Sequence, residues 1–198
     1  MGRRPRVEEP DGFYHVGTRG NNKQPIYADD FDRRVFLALL GGCVKRFGWY
    51  CHTWCLMTNH YHLLVELRRP TLALGMCELN GQYAKFSNRR YKRIDHVFGK
   101  RYFAEHLTTD AHLLATCRYI VLNPVRAGLC DDPADWPWSS YRASAGLVRP
   151  PRFLALSRFL RLFDERPKEA MDAYRSFVAA GVADAVRQRA VPGTVTDA

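Results

Sequence analysis

Polar and apolar positions along the chain switch between two periods. Residues 12–22, GFYHVGTRGNN, alternate and then break at Gly20-Asn21-Asn22, which predicts a first strand. Residues 29–47 change to helical spacing: Asp29 and Asp30 suit a helix start, and Phe31, Val35, Leu39 and Val44 recur on one side. Residues 48–59 alternate again into a second strand and 61–67 form a third, so 48–67 predicts a hairpin turning near Thr58-Asn59. Residues 71–93 read as a long helix with a basic end, and 96–107 as an aromatic fourth strand or hairpin. Residues 109–129 read as a helix whose apolar rows end near Asn123, with Pro124 in a kink or last turn. The segment 131–143 is turn-rich, and its aromatics are expected to pack against that helix. Two short helices are expected over 152–180 and a loose tail over 187–198.

Strands joined by short links and interleaved with helices predict an α+β fold, an antiparallel sheet with helices mainly on one face. The expected organisation is a basic arm (1–11), a main domain (12–148), a helical C-terminal extension (149–186) and a flexible tail (187–198).

Composition narrows the partners. The 198 residues are 46% hydrophobic, enough for a packed core. Lys and Arg number 30 against 20 Asp and Glu, a net charge of +10, and the pI is near 9.6. Such a balance favours a polyanionic partner, most often nucleic acid, over a merely soluble basic surface. The six cysteines lie in apolar or helical contexts without the density of a secreted disulfide scaffold. The N-terminal stretch has no apolar core of a secretory signal, and Arg6 stands where N-myristoylation wants Ser or Thr. A reducing cytoplasm, with nucleoid association, is the expected compartment.

The stretch MTNHYHLLVE, residues 57–66, carries the candidate chemistry. On a strand His60 and His62 point to the same side, about 7 Å apart along the chain, and Tyr61 points to the other face. Two imidazoles on one face can share a divalent metal, but they can equally be polar residues at a strand start. A zinc site from Cys51, Cys55, His60 and His62 is a further possibility that strand geometry disfavours. In CRYIVLNPVRAG, residues 117–128, Tyr119 and Asn123 stand four apart on a helix, so they share one face about 6 Å apart. Asn123 can offer a hard carbonyl oxygen to a cation held by the histidines, and Tyr119 can aim its hydroxyl at a phosphate.

These motifs, with YHVGTRGNN, DDFDRRVFLALL, QYAKFSNRRYKR, HVFGKRYFAEHL, RYIVLNPVRAGL and DWPWSSYRA in order, resemble the REP-associated tyrosine transposases of the single-tyrosine HUH endonucleases. The resemblance implies a ferredoxin- or RRM-like core. It implies that His60 and His62 are paired ligands of Mg²⁺ or Mn²⁺, Asn123 the third ligand and Tyr119 the nucleophile. The expected reaction is cleavage of single-stranded, hairpin-associated DNA from repetitive palindromic elements, leaving a 5′-phosphotyrosine and a free 3′-hydroxyl. Tyr61, where the family usually has a bulky apolar residue, is a departure and raises a rival nucleophile. A monomer is favoured over a dimer that exchanges the tyrosine helix.

Candidate DNA contacts are Arg19 and Asn21 in the TRGNN loop, Arg89, Arg90 and Arg93 at the helix end, Lys100 and Arg101 in the aromatic strand, and the arm residues Arg3, Arg4 and Arg6. Among the interleaved aromatics some would stack bases, though most read as core. His15, His52, His96, His106 and His112 read as structural or surface residues. Two rivals remain: a catalytically silent DNA- or RNA-binding regulator on the same fold, and a metallo-phosphodiesterase that uses water and leaves Tyr119 idle.

Overall fold

The structure, a computed structural model, describes residues 8–189. Asp29 starts the first helix as its spacing predicts: its carboxylate accepts from the Asp32 backbone N–H at 3.0 Å. Gly48 ends that helix at φ 70°, a left-handed conformation that glycine adopts without penalty. In chain order the elements are β1 (Phe13–Arg19), α1 (Asp30–Phe47), β2 (Trp49–Leu56), β3 (His60–Leu67), α2 (Leu72–Tyr91), β4 (Phe103–Leu107), α3 (Asp110–Arg126), α4 (Tyr141–Ser144), α5 (Leu156–Leu160), α6 (Pro167–Ala179) and α7 (Val182–Arg189). The four strands form one antiparallel sheet in the order β2-β3-β1-β4. The 48–67 hairpin is present as expected, whereas the fourth strand is confined to 103–107. Residues 96–102 are irregular and touch the sheet through an isolated bridge between Gly20 and Phe98.

Alternation along the central strands feeds two cores. Tyr14, Val16, Tyr61, Leu63 and Val65 pack against Phe36 and Leu40 of α1 and Met76, Leu79 and Tyr83 of α2. On the opposite face Leu64 and Leu107 pack against Leu113, Cys117, Ile120 and Val121 of α3. The helices are thus divided between both faces, where the sequence had placed most on one. The buried row of α1 is Phe36, Leu40, Cys43 and Val44: Val44 is buried as expected, Phe36 and Leu40 take the places expected of Val35 and Leu39, and Phe31 is 49% exposed. Several rows of α1 are apolar, so its orientation against the sheet, a tertiary matter, selects which one is buried.

The C-terminal helices complete the second core. Phe159, Leu160, Tyr174, Val178 and Ala185 are buried with α3, and the Tyr174 ring stands edge-on to Phe159 at 5.3 Å. Full burial of side chains such as Phe159, Leu160 and Val178 stabilises by about 1.5–3 kcal/mol each. The sheet is tied to α5 by Arg158, which donates to both carboxylate oxygens of buried Glu66 at 2.7 and 2.5 Å, with His52 Nε2 2.9 Å from the same group. The region read as an extension therefore covers the sheet, and α7 continues through Arg189, past the expected tail boundary at 187. At the other terminus Glu8 accepts from the backbone N–H groups of Leu72 and Ala73, satisfying the start of α2. Arg3, Arg4 and Arg6 lie outside the described residues.

Candidate functional site

Register assembles the site. Strand β1 sets Arg19 opposite His60, Gly17 opposite His62 and His15 opposite Leu64, while β4 sets Phe103 opposite Gly17 and Glu105 opposite His15. Directly opposed residues share a face, so all of these lie on the α3 side of the sheet. Gly17 carries no side chain across from His62, and a Cβ there would collide with the Tyr61 carbonyl and the Phe103 ring. The His15 ring closes on His62 from the diagonal position and the Phe103 ring reaches it from straight across Gly17, at centroid distances of 5.1 and 5.8 Å. His60 stands edge-on to His62 at 5.0 Å.

Tyr61 takes the other face, as its parity requires. It is fully buried, and its hydroxyl donates to Asn80 Oδ1 at 2.6 Å. Burial pushes this phenol well above its ordinary range. Tyr119 instead projects from α3, half-buried, with its ring 5.7 Å from His62 and 6.0 Å from His15. The guanidinium of Arg126 lies 4.7 Å from the centre of the Tyr119 ring. Arg126 also donates to the Tyr119 carbonyl at 2.9 Å and to Gln188 of α7 at 2.7 Å. Asn123, one helical turn beyond Tyr119, is 8% exposed and donates its amide to the Tyr119 carbonyl at 3.0 Å. Its own carbonyl oxygen is the atom that could serve a cation. Pro124 lies inside α3, in its last turn.

Burial keeps the imidazoles neutral. Desolvation, with a smaller contribution from Arg19, lowers His60 to about 4. Desolvation, then His15, His60 and Arg19, holds His62 well below its usual value. Desolvation lowers His15 to about 4 against the opposing pull of Glu105. Neutral imidazole is the form that offers a lone pair to a metal. Among the described residues no group of three or more His, Cys, Asp and Glu could hold a metal ion. A cation at this place would rest on the two imidazoles with the Asn123 carbonyl, a mixed nitrogen and oxygen set that suits a divalent ion with open positions. The alternative zinc set is not assembled: Cys51 is buried in the core beneath α1 and α2, and Cys55 in the other core. Both thiols are pushed up by burial, Cys51 to about 12.

The basic candidates separate into groups. Arg19, Asn21, Lys100 and Arg101, with Thr18 and Lys23, line a groove of about 530 Å³ that includes Gly17 and Phe103 and so begins beside His62. Asn22 and Lys23 in this loop hold φ of 51° and 59°. Two successive left-handed residues that are not glycine are the kind of strain that concentrates at functional sites. Arg93 lines a neighbouring cleft of about 730 Å³ with Asn21, Asn22, Tyr27, Asn88 and His96. Arg90 is engaged within the molecule, pairing with Asp29 at 2.6 Å and with buried Asp32 at 2.5 Å, and stacking on Phe31. Arg89 is exposed on the same helix.

Sequence reasoning passed over Glu105 and Arg126, read His15 as structural or surface, and held Phe103 only as one of several interleaved aromatics. A lone histidine in an alternating strand carries no local sign of what stands across from it. Only the parity of His15, two and four positions before Gly17 and Arg19, hinted at a shared face.

A single antiparallel sheet flanked by helices, with a histidine pair on a central strand facing a tyrosine on a helix, defines a mixed α/β domain with a histidine–tyrosine centre at one sheet end. The chain belongs to the family described as Transposase IS200 like, which matches over residues 11–123. It is 32% identical over 98 residues to a protein of Haemophilus influenzae named as a REP-associated tyrosine transposase, covering 44% of this chain and 56% of that one. The chain thus spans about half the length of this curated relative. Its fold is similar to that of a solved REP-associated tyrosine transposase bound to a REP hairpin, with a TM-score of 0.63 and 16% identity, covering 78% of this chain and 92% of the other. Among the described residues no helix is long and apolar enough to cross a membrane.

Proposed function

We propose that the protein is a metal-dependent single-strand DNA endonuclease and strand transferase that cuts beside a hairpin and holds the DNA through Tyr119. The observation that carries this is the packing of the Tyr119 ring against His62 at 5.7 Å, at the end of the sheet where the basic groove begins. Family membership and the hairpin named for the solved relative support the choice of DNA.

In the proposed step the Tyr119 oxygen attacks the scissile phosphorus, the O–P bond forms and the bond to the 3′-oxygen breaks. The phenol proton leaves, the 3′-oxygen takes up a proton, and the 5′-phosphate stays on the tyrosine. Because the diester energy is kept in that bond, a 3′-hydroxyl of another strand can reverse the step and join a new end. His60 and His62, with Asn123, would hold Mg²⁺ or Mn²⁺, which when bound polarises the phosphate and offsets developing charge. Arg126 lies over the face of the Tyr119 ring and would help to orient it. Arg19, Lys100 and Arg101 would take the phosphates of the flanking strand.

One chain supplies every named residue. The tyrosine helix is secured to its own C-terminal segment by Arg126 on Gln188, Arg118 on the Phe177 ring, and Arg189 on Asp131 and on the carbonyls of Val125 and Cys130. This favours a monomer that acts without helix exchange. The test is incubation with hairpin DNA bearing a single-stranded flank, with Mn²⁺, followed by a denaturing gel. A covalent adduct that requires Tyr119 is expected. Cleavage without an adduct would indicate hydrolysis by water, and binding without cleavage a silent regulator.

A further inference from the structure

Buried His15 is 4% exposed and lies against His62, with its Nε2 3.0 Å from His62 Nδ1. Its other ring nitrogen, Nδ1, faces the Glu105 carboxylate at 3.6 Å, and Glu105 in turn approaches His112 Nε2 at 3.3 Å. We propose that His15 and Glu105 are positioning residues that fix the tautomer of His62, so that its Nε2 lone pair is the one presented to a divalent cation. The inference rests on the metal reading above and deepens it.

Proton counting gives the direction. One hydrogen lies between His15 Nε2 and His62 Nδ1, since two neutral acceptors or two donors at 3.0 Å would repel. If His15 donated it, His62 would carry its own proton on Nε2 and would have no lone pair left for a metal. If His62 donates it, Nε2 is free, and His15 must carry its proton on Nδ1, toward Glu105. A carboxylate at 3.6 Å is too far for a full hydrogen bond but favours an N–H over a lone pair on that side. Glu105 is half-exposed and therefore biases the pair, while buried His15 transmits the choice. Partners of this kind outside a metal's own ligands typically set affinity by 10–100-fold.

Two measurements on the full-length protein decide it. The first is ¹⁵N ring NMR of the cation-free wild type, which reports each tautomer directly. His62 is expected as the Nδ1–H form and His15 likewise; His62 protonated on Nε2 would overturn the inference, even if every variant at position 15 unfolded. The second is calorimetric titration with Mn²⁺ alone. His15→Leu is expected to weaken binding about 10–100-fold, while His15→Gln, which keeps an acceptor where Nε2 stood, stays within about threefold. Glu105→Leu is expected to cost less than His15→Leu. Equal Mn²⁺ affinity in wild type and His15→Leu would also sink the proposal. Unchanged affinity after His60→Ala with His62→Ala would reject the metal reading instead, so the two failures are distinct.

Discussion

Two tyrosines sit close to the same histidine pair, and their surroundings are opposite. Tyr61 stands between the histidines in the chain, yet its phenol is sealed beneath α1 and α2, bonded to Asn80. Tyr119 is about sixty positions away in the chain, yet its ring touches His62, with Arg126 above it and solvent within reach. Proximity in sequence and proximity in space therefore point to different nucleophiles. One strand serves both purposes because alternate residues face opposite ways: its odd positions build one core, while its even positions open on the site at His60 and His62 and run on into the second core at Leu64.

The sharpest way to break this comparison is to remove one oxygen from each ring. Tyr119→Phe should abolish the covalent DNA adduct while leaving hairpin affinity unchanged. Tyr61→Phe should retain the adduct but lower stability by about 1 kcal/mol, because half-buried Asn80 loses its donor. Denaturing gels and chemical denaturation read the two effects; an adduct that depends on Tyr61 would reverse the assignment.

The next largest effect concerns the even positions. His60→Ala or His62→Ala should weaken Mn²⁺ binding by more than the roughly 10–100-fold expected of outer partners. Asn123→Ala should weaken it less, since one neutral oxygen is lost. Hairpin binding in chelator should hardly change in any of them, which filter binding can check.

The basic residues offer a contrast of their own. Replacing Arg19, Lys100 and Arg101 together should flatten the slope of log affinity against log salt by about two, at roughly 0.7 per phosphate. Arg90→Ala should leave that slope unaltered and instead lower the thermal midpoint, because buried Asp32 loses its guanidinium partner. A reversed pattern would move the DNA from the groove to the end of α2.

The smallest effect is on pH. His15 and His60 sit near 4 and His62 lower still, against about 6.5 in an unfolded chain. Between those values the folded state binds fewer protons than the unfolded one, so stability is full above about pH 6.5 and is lost as the pH falls toward 4. Denaturant midpoints at pH 7, 5.5 and 4.5 should fall in that order. His60→Ala should show a shallower decline, having one fewer buried imidazole to charge.

Local periodicity was sufficient for much of the molecule. It identified the strand-and-helix order through α3, the hairpin at Thr58-Asn59, the opposed faces of His60-Tyr61-His62, and the shared face of Tyr119 and Asn123 one helical turn apart. Each of these follows from backbone geometry within a single helix or hairpin, which a stretch of chain carries within itself. Other features came from the way distant elements meet. The pairing of His15 with Glu105 depends on the register between β1 and β4, and its contact with His62 on the register between β1 and β3 with Gly17 between. Arg90 resembled a DNA contact in its basic run and became a clamp because α2 ends beside the start of α1. The C-terminal helices resembled an appendage and became half of a core because the α3 face of the sheet had apolar area left to cover. Side-chain parity is a property of the chain, whereas a partner across a sheet or between helices exists only once the whole has folded.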